Sequence, residues 1–156
     1  MSLSKLYLEK SENELILAES LIRISKENKL KTILRIKQNQ TFYTGVISHA
    51  YYSIFYAVKA YLANKEIKTK LPDEHKKTYN KFKRICKSGK ISKEIINIYE
   101  TEIIKSDSLL HIFKIEKKKR GEFVYKKLPE ANKSPATKSI ENAQKFFKII
   151  YGILNG

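Results

Sequence analysis

Apolar residues recur along this chain at spacings of three and four, and no clean period-two run bounded by turn residues interrupts them. The pattern predicts helices throughout. The first starts after Ser2 or Ser4, either of which can cap it. It places Leu8, Leu15, Ala18 and Ile22 on one stripe, with Leu17, Leu21 and Ile24 beside it. Residues 26–39 are polar and basic and read as a frayed helix end and a connection. The second helix runs from about Thr41 to Asn64 with one charged residue, Lys59. Ile47, Ala50, Tyr51, Ile54, Val58, Tyr61 and Leu62 share one face, yet Val46, Tyr52, Phe55, Tyr56, Ala57 and Ala60 cover the others. A helix that is apolar nearly all round is central to a bundle or shared with a second subunit. Its tyrosines, serines and His49 make it too polar to be read as a membrane span.

Pro72 is placed to open a third helix, with Asp73 and Glu74 in its first turn and His75, Tyr79, Phe82 and Cys86 on one face. Ser88-Gly89 ends it. Ser92 caps a fourth helix that turns Ile95, Tyr99, Ile103, Ser106, Leu110 and Phe113 inward. Residues 114–133 lose this periodicity. Ser134 and Pro135 then open a last helix with Ala136, Ile140, Ala143, Phe147, Ile150 and Leu154 on its stripe. The sum is all-α: one domain over residues 1–156, a five-helix bundle of up-and-down antiparallel helices.

Composition narrows the partners. Hydrophobic residues make up 42% and Gly and Pro only five and three positions, which excludes disordered and collagen-like classes. A single cysteine, Cys86, excludes an intrachain disulfide framework, and its place on an apolar stripe reads as core. With the charged opening from Leu3 to Glu14 unlike a signal peptide, the expected location is the cytoplasm. Lys plus Arg is 32 against 16 for Asp plus Glu, a formal net charge of +16 that attracts polyanions: nucleic acid first, then an anionic membrane surface or an acidic protein. Alternatively, so Lys-rich a chain reflects proteome composition alone. Seven basic residues stand between 114 and 127 against Glu116 and Glu122. Lys117, Lys118, Lys119, Arg120, Lys126 and Lys127 surround Phe123 and Tyr125 there, cations and aromatics that hold phosphates and stack bases, unless the aromatics simply pack inward.

Enzyme signatures are sparse. The chain has no Gly-rich phosphate loop, no paired-histidine metal helix and no nucleophile elbow, so no metal and no cofactor is assigned. Ser48 and His49 are sequence neighbours and do not face each other on a helix.

The run from Ala50 through Tyr51-Tyr52-Ser53-Ile54-Phe55-Tyr56-Ala57 to Leu62 resembles the second helix of HEPN domains (higher eukaryotes and prokaryotes nucleotide-binding). The order of other features agrees: His75-Lys76 with Phe82 after it, Arg120 before Tyr125, and Ala143 and Phe147 in a last helix. The resemblance implies a helical bundle that forms a homodimer, is encoded beside a nucleotidyltransferase as a toxin–antitoxin pair, and often cuts RNA without metal. The family's active motif is an Arg followed after four to six residues by a His. Such an Arg stabilises charge on phosphate and such a His moves a proton of the attacking 2′-hydroxyl. Here Arg120 is followed after four residues by Tyr125, a poor proton shuttle at neutral pH. Arg120 and Tyr125 are therefore carried over as a phosphate or nucleotide site, and His75 is grouped with the basic cluster as RNA- or nucleotide-binding. The leading expectation is a dimeric binding protein for RNA or nucleotide. The alternatives are a ribonuclease toxin with a variant Arg-x4-Tyr site, and an interaction protein whose charge only keeps it soluble.

Overall fold

The computed structural model describes residues 1–119 and 133–156, with 109–119 as backbone only. Six helices and no strands are present among the described residues: α1 (Leu3–Lys26), α2 (Asn28–Ile33), α3 (Tyr43–Asn64), α4 (Glu74–Lys87), α5 (Lys93–Lys119) and α6 (Lys133–Asn155).

Of the two serines able to cap α1, Ser2 does so, accepting from the Lys5 N–H at 3.2 Å. Ser4 instead donates to the Ala60 carbonyl at 2.8 Å, and this difference sets the architecture. One α-helical step of seven residues nearly completes two turns. Ser4, Ser11, Ala18 and Ser25 therefore line one edge of α1. Ser11 Oγ donates to the Ser53 carbonyl at 2.7 Å, and Ser25 Oγ accepts the Phe42 N–H at 2.7 Å at the start of α3. Small side chains let the two backbones close on each other antiparallel, and hydroxyls satisfy groups that a wider spacing would leave to water.

The polar stretch 26–39 is more ordered than a frayed end. It forms α2, because Lys31 is only 3% exposed and its ammonium donates to the Gln38 carbonyl at 2.8 Å, tying the turn that follows to the helix.

The apolar character of α3 has its explanation within one chain. It packs on α1, α4, α5 and α6, so only a narrow strip including Tyr52 is exposed. The four long helices alternate in direction, with α2 and α4 as shorter additional elements. Gln144 meets Glu19, and the start of α1 meets the end of α6, so α6 runs antiparallel to α1 as α3 does. Accordingly α3 and α6 share a direction. Helix α5 runs antiparallel to α6, with Lys145 paired to Glu94 and Asn142 bonded to Glu102. The short crossing element α4 completes the core, with Phe82 against Tyr61, Tyr99 and Phe146 at ring-centroid separations of 5.9, 6.1 and 6.1 Å.

Three helix assignments shift by a few residues. Pro72 does not open α4. Asp73 adopts a left-handed conformation (φ 56°) after it, and the helix begins at Glu74, whose carboxylate is drawn to Lys59 on α3. In α6 the fully buried aromatic is Phe146, with Phe147 half-buried at the edge, and Ser134 lies inside the helix rather than capping it. The inner face of α5 includes Ile98 and the carboxylate of Glu102, while Ile103 is only partly covered. Ser92 caps α5 as expected, accepting the Glu94 N–H at 3.3 Å.

Candidate functional site

Two direct contacts hold the ring of His75, the second residue of α4, and its neighbour Glu74 ties the start of the helix down, although His75 as a whole is exposed. Its ring lies flat on Phe55 of α3, centroids 4.0 Å apart and planes 11° off parallel. Its Nδ1 is 2.7 Å from the hydroxyl of Tyr51, one turn earlier on α3. The preceding residue, Glu74, pairs with Lys59, which also donates to the Thr69 carbonyl at 3.2 Å and lies over the Tyr7 ring at 4.6 Å. Lys59 is 5% exposed, so its charge is met by a carboxylate, a carbonyl and a π face rather than by water. Aromatic residues of α3 thus seat the imidazole that α4 carries.

The protonation pattern follows from the surroundings. Burial, and then the charge of Lys59, hold the His75 imidazole below its ordinary value of 6.5, so it is neutral at pH 7. Burial pushes the Tyr51 hydroxyl up from its ordinary value of 10.0, so Tyr51 keeps its proton. Tyr51 is then the donor, Nδ1 the acceptor, and the ring proton sits on Nε2. His75 offers an oriented N–H donor without a positive charge.

Beside it a cleft of about 510 Å³ opens between α4 and α5, lined by Tyr51, His75, Lys76, Tyr79, Glu100, Ile103, Ile104 and Asp107. Glu100 accepts from the Tyr79 hydroxyl at 2.6 Å and pairs with Lys83 at 3.2 Å. The Tyr79 bond, with Lys83 behind it, holds the Glu100 carboxyl below its ordinary value. Ile104 is 67% exposed at the mouth.

The structure brings together only part of the residue set expected to bind RNA. His75 is in the cleft. Lys117, Lys118 and Lys119 lie at the far end of α5, where the backbone alone is described, and Lys117 is about 15 Å along the helix from Asp107 at 1.5 Å per residue. Arg120, Tyr125, Lys126 and Lys127 lie outside the described residues, as does Phe123. The cleft residues Tyr51, Lys76, Tyr79, Glu100 and Asp107 were not singled out as a site from sequence. The available signal was the four-residue step from His75 to Tyr79, which puts both on one side of α4.

His49 pairs with Glu14 of α1 at 2.6 Å, not with Ser48. Cys86 is buried, and burial raises its thiol to about 11, as suits a core residue. Among the described residues no three His, Cys, Asp or Glu side chains gather as a metal set, and no helix is long and apolar enough to cross a membrane.

An all-helical bundle around a central helix carrying Ala-Tyr-Tyr-x-x-Phe, with a histidine seated on that helix, defines a helical domain of net positive charge. The chain belongs to the HEPN domain family, whose model matches residues 18–153. Membership gives it a nucleotide- or RNA-related function. No curated protein and no solved structure matches the chain.

Proposed function

We propose that this HEPN protein binds RNA or a nucleotide as a homodimer in the cytoplasm, and that it acts by binding rather than cutting, in a toxin–antitoxin-type pair with a nucleotidyltransferase. The observation that carries the reading is His75, seated on Phe55 and bonded to Tyr51 beside Lys76, on a HEPN chain with net charge +16. Orienting an exposed imidazole on an aromatic face and a tyrosine hydroxyl serves ligand recognition better than it serves packing, for which an apolar residue would do. The basic run Lys117 to Lys127 supplies phosphate contacts, with Arg120 the group suited to bidentate recognition. The absence from the sequence of an Arg followed after four to six residues by His supports binding over cleavage.

The test is RNA binding and cleavage without metal, on the wild type and on Arg120→Ala. Binding without cleavage, weakened by the substitution, is expected. Cleavage that vanishes in Arg120→Ala establishes the second reading, a ribonuclease using Arg120 and Tyr125. That reading rests on the sequence, which keeps an Arg at 120 with a titratable side chain, Tyr125, after four residues.

A further inference from the structure

The α4–α5 cleft has two chemically different ends. At one, His75 and Lys76 supply donors from α4, and Asp107 supplies a carboxylate from α5. Asp107 is exposed and has no hydrogen bond or ion pair among the described residues, and it lines the cleft two turns along α5 from Glu100, which is held at Tyr79, so it falls toward the His75 end. At the other end Tyr79 and Ile103 form an apolar and aromatic wall, where Glu100 is already occupied by Tyr79 and Lys83. An uncommitted acceptor beside uncommitted donors, next to an aromatic wall, is a bipolar site. The volume suits a small molecule or one chain unit, not a duplex.

We propose that this cleft takes a single ribonucleotide with a free 2′,3′-diol, its phosphate on Lys76 and the His75 Nε2–H, its diol on Asp107, and its base toward Tyr79 and Ile103. Ribose and phosphate are adjacent in a nucleotide, as their partners are adjacent at the His75 end. A carboxylate accepting from a ribose hydroxyl is a recurrent mode of ribose recognition. The same chemistry occurs in a free mononucleotide and at the 3′ terminus of RNA. The inference rests on the RNA- or nucleotide-binding reading and narrows it to a terminal unit, separate from the phosphate contacts of the basic run.

The test uses the full chain and four probes: AMP, 2′,3′-dideoxy-AMP, a fluorescent RNA decamer with a free 3′ end, and the same decamer carrying a 3′-phosphate. Calorimetry should show AMP binding at least about tenfold tighter than the dideoxy compound, the loss expected when a charged group forfeits its hydrogen-bond partners. Asp107→Asn, at an exposed position, should remove that preference without weakening binding of the 3′-phosphate decamer, since the lost carboxylate only repels phosphate. A preference for the free-ended decamer assigns the RNA terminus as occupant. Diol-dependent AMP binding with no difference between decamers assigns the free nucleotide. Decamers bound equally with no AMP binding overturn this inference and leave RNA binding standing. Equal AMP and dideoxy-AMP affinity, or an Asp107→Asn variant that keeps the preference, overturns it as well. Diol-dependent AMP binding without RNA binding sustains it and removes the RNA part of the functional reading.

Discussion

Glu102 is fully buried in α5. Its Oε1 accepts from Lys105 at 3.0 Å and from Asn142 at 2.9 Å, while Oε2 has no partner among the described residues. A buried charge is costly unless paired, and removing one member of such a set costs more than never having had it. Glu102→Ala should therefore destabilise the fold by about 3 kcal/mol, the low end of the range for broken buried pairs. The low end applies because Lys105 keeps Ser139 and the Pro135 carbonyl. Urea denaturation of wild type and variant measures it. The sequence pattern gave no warning of this residue, because a glutamate flanked by Thr101 and Ile103 reads as the polar side of a helix.

His75 makes a second prediction at this scale. Its folded value is lowered below 6.5, so between the two values the unfolded chain holds a proton that the folded chain does not. Stability from this group is complete above about pH 6.5 and declines as pH falls through the window toward the folded value. The melting temperature of the wild type should drop more between pH 7.5 and pH 5 than that of His75→Asn. Nitrogen NMR should also find the proton on Nε2, and Tyr51→Phe should mix the two tautomers. A ring titrating at or above 6.5 contradicts the geometry.

Between elements, the seam of Ser4, Ser11, Ala18 and Ser25 against α3 governs spacing. Ser11 is fully buried between the backbones, so Ser11→Leu must push α1 away and disrupt its bond to Ser53. A loss of about 1–3 kcal/mol from overpacking follows, against about 1 kcal/mol for Ser11→Ala, which loses only the hydrogen bond. Thermal melts of the two variants separate these outcomes. Most helices were legible, since apolar spacing marks α1, α3, α4, α5 and α6 within a few residues. The serine seam was not, because an apolar-stripe reading discards serines even when they recur every seven residues. Helix α2 escaped for a related reason: a buried lysine bonded to a carbonyl looks, in sequence, like any solvated lysine. In the cleft, His75 and Tyr79 were visible as neighbours on α4. Tyr51 and Asp107 reach them from helices distant in the chain, a juxtaposition that no local spacing encodes.

For the whole molecule, the charge and the assembly are the testable quantities. If RNA neutralises several lysines, log affinity falls linearly with log salt at a slope of about −0.7 per phosphate contact for single strands. A flat slope removes the electrostatic reading of the +16 charge. Assembly needs its own argument, since α3 is enclosed by its own chain and its apolar surface no longer calls for a second copy. The homodimer of the functional reading therefore rests on family membership: under it, light scattering at micromolar concentration gives twice the chain mass, and a monomer there removes the dimer from that reading.

The enclosure of α3 also governs how the protein opens. A helix flanked by four others cannot expose its amides by fraying, because every neighbour must leave first. Deuterium should therefore enter α2 and the ends of α1 and α6 early. The amides from Ala50 to Leu62 should exchange last and together, at the rate set by unfolding of the entire bundle. The segment that supports His75 would then be the most slowly exchanging part of the molecule, a fixed platform under a residue that a less protected helix carries.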